Sequence, residues 1–246
     1  MATSATSLTL IPVGAHNIET WHDVYARSFM AAGPKSFSLA FFPDGFTPSI
    51  TAWRIETYLS ALASSPSSNG SQLFFLVTDA ITSTSLAASR WVLNLDPTPP
   101  STEEQDLNGT LSAIESEYAN LPPRSGVNNP AFRALRLAQA RAKHIHLHGR
   151  PHVYLWLLGT VPEARRRGAA RFALEWGLRK ARDQGVPVYL ESSEEAVGFY
   201  LAAGFVMCGP LGFDARMFGL EGRHEFYAMI WEPSSNGVVS DIGVRD

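Results

Sequence analysis

Residues 154–184 hold the tightest constraint on the fold. Tyr154 to Leu158 is an apolar run of strand length, followed by Gly159 and Pro162, the pattern of a strand buried on both faces. A helix with an unusual beginning comes next. Beyond Gly168, the residues Ala170, Leu174, Leu178 and Ala181 recur at spacings of three or four, while Arg171, Glu175 and Arg179 share a different face. Gly185 and Pro187 stop this pattern after Gln184.

Arg165, Arg166 and Arg167 crowd the start of that helix, where free backbone N–H groups already make the surroundings electropositive. Cations there oppose the helix dipole, each by a few tenths to roughly 1 kcal/mol. Two readings account for the triplet. One is a solvated charge cluster on a surface loop. The other is an anion site, for which a pyrophosphate is the natural ligand, because free N–H donors and small residues let a backbone wrap phosphate oxygens. Gly168 permits close approach, and Ala169 and Ala170 keep the first turn clear.

The segment Arg165-x-x-Gly168-x-Ala170 resembles the Arg/Gln-x-x-Gly-x-Gly/Ala signature of the GNAT superfamily of acyl-CoA-dependent N-acyltransferases. It also stands where that signature stands, after a strand and at the opening of a helix. Val188 to Ser193 is similar to the family's next strand, and Ala196-x-x-Phe199-Tyr200-x-x-x-Gly204-Phe205 to its following helix and turn. The three segments keep their order across residues 153 to 207.

The resemblance implies an α/β (α+β) GNAT fold: a mixed, mostly antiparallel sheet flanked by helices, with a splayed parallel strand pair and a long insertion before the fourth strand. A single such domain would occupy residues 1–233, with the insertion at about 95–150 and a polar tail at 234–246. Acetyl-CoA is the implied acyl donor. Backbone groups of Leu158, Gly159, Thr160 and Val161 would pair with its pantetheine arm, and Arg165, Arg166, Arg167, Gly168, Ala169 and Ala170 would hold its pyrophosphate. Tyr200 matches the family tyrosine that donates to the leaving thiolate. An ordinary phenol, with a pKa near 10, is protonated at neutral pH and can do so. Read without the motif, Tyr200 is a core residue of an amphipathic helix. Ser193 stands where many relatives carry an Asn that touches the pantetheine, and it equally suits the N-cap of a helix over Glu194 to Leu201.

The general base is less clearly marked. Many relatives place a Glu within the fourth strand, and Tyr154 to Leu158 has no carboxylate. Glu191, at the end of the fifth strand, is the candidate, acting directly or through water. Glu163 reads more simply as an ion-pair partner for the neighbouring Arg triplet, Asp44 and His152 are weaker candidates, and an ordered-water route without a dedicated base remains open. Cys208, alone in an apolar strand, reads as inert core.

The rest of the chain fits around this centre. Leu8 to Val13 predicts a strand and Asn17 to Met30 a helix. Residues 33–49 carry four Phe and three Pro, and they read either as a wall of the acceptor pocket or as a loop pinned to the core. A helix over Ile50 to Ala63, a polar turn over Ser64 to Ser71, and strands at Leu73 to Thr78 and Leu86 to Leu93 follow. Residues 96 to 123 are rich in Pro, Ser, Thr, Asp and Glu and suggest a mobile excursion with at most a weak helix near Leu111 to Asn120. Asn129 as cap and Pro130 open a helix to about Ile145. Phe205 to Cys208 and His224 to Trp231 make the last strands. The segment between them, with Phe213, Met217 and Phe218, is another candidate pocket wall.

From Arg124 to Pro162 no residue is acidic. The stretch reads as a solvated basic face, or in part as a surface meeting the donor's phosphates or an acidic acceptor. His144, His146, His148 and His152 invite a metal reading, but no Cys or carboxylate accompanies them locally. The 246 residues carry a net charge of −3 and one cysteine. These values argue against bulk nucleic-acid affinity, exclude an intrachain disulfide, and favour a cytoplasmic or nuclear setting. Met1 to Gly14 lacks a signal-peptide pattern, and no apolar run is long enough to span a bilayer.

The sequence therefore predicts an N-acetyltransferase that moves an acetyl group from acetyl-CoA to an amine, a small molecule by preference, through direct attack in a ternary complex. A non-catalytic acyl-CoA-binding module with the same fold is the alternative, supported by the missing strand carboxylate. Nucleic-acid binding through the Arg triplet is a third reading, disfavoured by the charge.

Overall fold

The computed structural model describes residues 7–63, 71–96, 103–221 and 224–233. Residues 64–70 of the turn expected over Ser64 to Ser71, and the polar tail at 234–246, lie outside them. Seven strands form one sheet in the order β1-β2-β3-β4-β5-β7-β6: β1 (Leu8–Pro12), β2 (Ser71–Asp79), β3 (Ser85–Asn94), β4 (His152–Thr160), β5 (Val188–Ser193), β6 (Val206–Pro210) and β7 (Phe226–Trp231). Neighbours run antiparallel except β4 and β5, which are parallel. This is the mixed sheet with one parallel pair that the sequence predicted.

Helices cover both faces. α1 (Ile18–Phe29) and α2 (Pro48–Ala63) pack on one face, where Trp21 is fully buried. Its Nε1 donates to the Ser89 carbonyl at 3.1 Å, and its ring meets Tyr58 and Phe74 edge-on. Excluding such a ring from water contributes roughly 1.5–3 kcal/mol. On the opposite face, α5 (Ala169–Gln184) and α6 (Val197–Leu201) enclose Val153, Leu155, Val188 and Leu190 with Met229 and Trp231. Alternation along β5 therefore sends Val188 and Leu190 to α5 and leaves Tyr189 and Glu191 facing the other layer.

That other layer is completed by the insertion. α3 (Glu103–Asn120) and α4 (Asn129–Leu147) pack against each other, so the segment expected as a mobile polar excursion contains an 18-residue helix. Composition hid it because only a narrow strip, marked by the buried Ile114, faces a neighbour. An ion pair between Arg133 and Glu115 at 3.2 Å spans the two helices. The cap of α4 is Asn128, not Asn129: its side chain accepts from the Ala131 N–H at 3.3 Å, and Pro130 falls in the first turn, where its missing N–H costs nothing.

The histidines do not alternate on a strand. His144 and His146 lie on the last turn of α4, His148 caps it at φ 50°, and His152 opens β4, bonded to Asn94. Among the described residues no group of three or more potential metal ligands forms, and no helix is long and apolar enough to cross a membrane. Cys208 is half-buried at the sheet edge, not core, because β6 is an edge strand with Val206 and Met207 exposed.

Candidate active site

β4 and β5 pair over only three positions, Val153 with Val188, Tyr154 with Tyr189 and Leu155 with Leu190. The cause lies on the other edge of β4. Arg90 of β3 faces Leu157 while its neighbour Trp91 faces Leu155, so Trp156 is an extra residue that bends β4. Beyond it the strands part, and a cleft of about 1500 Å³ opens between Leu155–Thr160 on one bank and Glu191–Ala196 on the other. Carbonyl and N–H groups on the β5-facing edge of β4 lack a strand partner there.

A second depression, of about 420 Å³, continues from it. The two share Thr160 and Arg165, and the second is lined further by Arg166, Gly168, Ala169 and Ala170. Gly168 sits at φ 85° before the first turn of α5, where a side chain would be strained; no side chain caps that turn, and a Cβ added to Gly168 would meet nothing within 4 Å. An uncapped helix start behind an open glycine suits a pyrophosphate, and the residues present fit that group.

Not every candidate residue joins the site. Leu158, Gly159 and Thr160 line the cleft, but Val161 is buried and spends its N–H on the Leu86 carbonyl at 3.0 Å. Gly159 owes its identity to packing, since a Cβ there would come within 2.8 Å of both Phe29 and Ser28 on α1. Arg165 and Arg166 reach the depression, whereas Arg167 turns to Asp79 at 3.0 Å. The Asp79 carboxyl is held below its ordinary range by the N–H groups of Ile81 and Thr82, with Arg167 adding to them. Glu163 pairs with Arg27 of α1, not with the Arg triplet beside it. Ser193 lines the cleft but makes no capping bond. Tyr200 lines it too, packed between Phe199 and Phe205, and burial raises its phenol pKa.

Glu191 stands on the bank of the cleft within a polar cluster. Tyr154 donates to its Oε2 at 2.6 Å and Gln139 of α4 lies 3.5 Å from the same atom, while its Oε1 is buried with no hydrogen-bond partner among the described residues. Burial pushes the Glu191 pKa up, and Lys143 and the Tyr154 bond oppose that rise. Lys143 sits 3.5 Å from the centre of the Tyr154 ring, with its pKa pushed down to about 8 by burial against the pull of Glu191. Neither Asp44 nor His152 lines the cleft, whereas Glu194, Glu195, Glu221 and Glu225 do.

Lys143 therefore opposes the burial that raises the Glu191 pKa. Removing it in Lys143→Met should raise the Glu191 pKa, because the carboxylate loses its attracting cation. The expected result is an acid limb of the pH–kcat/KM profile displaced upward; an unmoved limb would separate Lys143 from the titrating group. Sequence reasoning missed Lys143, Tyr154 and Gln139 as site residues. The acid-free stretch from Arg124 to Pro162 was the available signal, since several of its cations reach an acidic partner or a cavity: Arg133 and Arg150 pair with Glu115 and Glu232, and Arg136 lines the cleft.

The aromatic segment 33–49 is pinned to the core and also reaches the cleft. Phe41 and Phe42 are buried, yet with Lys35 and Phe37 they also border the cleft. In the β6–β7 connection, Leu211 and Leu220 line it while Met217 points into solvent at 79% exposure.

A sheet split between parallel neighbours, with a helix start at the end of the split, defines the GNAT fold. Residues 134–205 match the acetyltransferase (GNAT) family model. Solved structures agree in fold. A mosquito arylalkylamine N-acetyltransferase like 5b superposes with a TM-score of 0.63 at 11% identity, over 92% of this chain and 100% of that one. A Drosophila melanogaster polyamine N-acetyltransferase gives 0.61 at 12%, again over 92% and 100%. A structure described as histone acetyltransferase HPA2 and related acetyltransferase, from Corynebacterium glutamicum, gives 0.55 at 20%, over 94% and 99%. No curated protein sequence matches the chain.

Proposed function

We propose that this protein is an N-acetyltransferase that binds acetyl-CoA along the β4–β5 cleft and transfers the acetyl group to a small amine. The observation that carries the reading is the parting of β4 from β5 after three pairs, into a cleft that runs on to the uncapped start of α5. Structures of the same fold that are named for arylalkylamine and polyamine substrates support an amine acceptor.

Acetyl-CoA supplies the thioester, whose carbonyl carbon is attacked by the amine nitrogen as the carbon–sulfur bond breaks. The chain's own groups do the rest. Leu158 to Thr160 align the pantetheine arm, and the N–H groups of Gly168 to Ala170, with Arg165 and Arg166, take the pyrophosphate. Glu191 accepts a proton from the amine, directly or through water, and its raised pKa brings its basicity closer to that task. Tyr200, kept protonated by burial, donates its proton to the departing sulfur.

Calorimetry with acetyl-CoA and a thiol-release assay across a panel of amines test the proposal together. Saturable heat plus CoA release with at least one amine is the expected result. Heat without release from any amine would favour a non-catalytic acyl-CoA-binding module, and no heat would overturn the reading.

A further inference from the structure

Arg54 is a buried cation that the transfer reaction just described does not use. It lies on α2, is 7% exposed, and borders the cleft. Among the described residues no carboxylate pairs with it. The guanidinium donates to the Tyr58 and Tyr25 hydroxyls, and its Nε has no hydrogen-bond partner. The rings of Tyr25, Phe42, Trp53 and Tyr58 lie 4.6 to 6.0 Å from the guanidinium carbon. Aromatic faces attract a cation but do not cancel its charge.

Its surroundings supply no hidden counter-charge. Burial drives the Tyr25 phenol up, so it stays neutral. His22, beside it, is pushed down to about 4 by burial and then by Arg54, so it too is neutral at pH 7. Arg90 adds a second buried cation, held 4.2 Å above the Trp156 ring, and burial followed by the repulsion of Arg54 and Arg136 lowers its pKa to about 10. Arg136, from α4, borders the same cleft as Arg54. Arg54 and Arg136 border the cleft with no ion pair to a carboxylate among the described residues, while the cleft's glutamates, Glu191, Glu194, Glu195, Glu221 and Glu225, stand on other segments, and an unpaired buried charge is costly unless something completes it.

We propose that Arg54, assisted by Arg136, is a carboxylate subsite, so that the acceptor is an amino acid carrying an anionic group beside its amine, and not a simple amine or a polyamine. Planar guanidinium recognises carboxylate through paired N–H donors, and the buried Nε of Arg54 is a donor that no protein group among the described residues satisfies. Phe41, Phe42 and Phe132 border the same cleft, which suits an apolar side chain on that amino acid. Glu191 on the β5 bank would take the amine, so the site would present opposite charges to the two ends of a zwitterion. The inference rests on the transferase reading, and it names that site's substrate class.

The test compares L-phenylalanine and L-leucine with their methyl esters and their decarboxylated amines as acceptors. The free acids are expected to exceed both neutralised forms in kcat/KM by about tenfold or more, the scale of a charge-assisted bond. In Arg54→Met, which keeps the stem's bulk, the ratio of acid to amine should collapse toward one. Should that variant fail to fold, the acid, ester and amine series on the unaltered protein decides alone. Should no compound be turned over, thermal stabilisation of the CoA-bound protein decides: the acids should raise Tm and the esters and amines should not. Equal or better use of the esters and amines, no response to either acid, or a loss of acetyl-CoA affinity in Arg54→Met would overturn the subsite. CoA release from the simple amines would leave the transferase reading standing while the subsite fell.

Discussion

Glu191→Gln is expected to lower kcat for acetyl transfer by about a hundred- to ten-thousand-fold, the range of positioned proton transfer, with acetyl-CoA affinity little changed. The substitution preserves shape and an acceptor for the Tyr154 hydroxyl, which donates to Glu191 at 2.6 Å, so a loss would report basicity and not packing. The pH profile gives an independent reading. Burial places the Glu191 pKa above its ordinary value of 4.5, and a base works only when unprotonated, so kcat/KM should climb with pH through that raised value and flatten above it. In Glu191→Gln the acid limb should vanish. Retention of turnover with the limb intact would hand proton removal to ordered water and leave Glu191 a structural member of the Lys143 cluster.

Gly177→Ala is expected to destabilise the fold by about 1–3 kcal/mol, opposite to the usual sign. In a helix interior, alanine normally gains roughly 0.5–1 kcal/mol over glycine, and Gly177 lies inside α5. A Cβ there would fall 2.1 Å from Cη2 and 2.2 Å from Cζ3 of Trp91. Trp91 is fully buried and packed against Trp176 at 5.5 Å between ring centres, so the indole has little room to retreat. At this chain length a loss of that size lowers Tm by roughly 2–4 °C per kcal/mol. Gly109→Ala in α3 is the matched control: nothing lies within 4 Å of its added Cβ, and it should gain stability. Equal gains at both positions, measured by thermal or urea unfolding, would remove the Trp91 contact from the account.

Much of the fold was legible because it is written locally. The strand at Val188–Ser193 matches its expected bounds, and the helix ending at Gln184 stops at a Gly185 with φ 64°, as punctuation by glycine and proline dictates. The entry to α5 was legible for the same reason, since Gly168 must satisfy a positive φ within its own turn. The candidate base was legible only as the carboxylate left once β4 offered none; nothing in the run Val188 to Ser193 says that Lys143, 48 positions earlier in the chain, would lie against the Tyr154 that binds it.

By itself, then, the sequence determined the order and type of the elements around the cleft and the backbone shape at the start of α5, because these depend on periodicity and on residues that act within a single turn. The tertiary structure alone decided that α3 would form against α4, that Glu163 would reach Arg27 and Arg167 would reach Asp79, that Gly159 and Gly177 would admit no side chain, and that Arg54 would be buried beside the cleft without a carboxylate. Each of these is a contact between distant segments, and the energy of such a contact is set by the distance the fold imposes and by the water it excludes, neither of which is carried by neighbours in the chain.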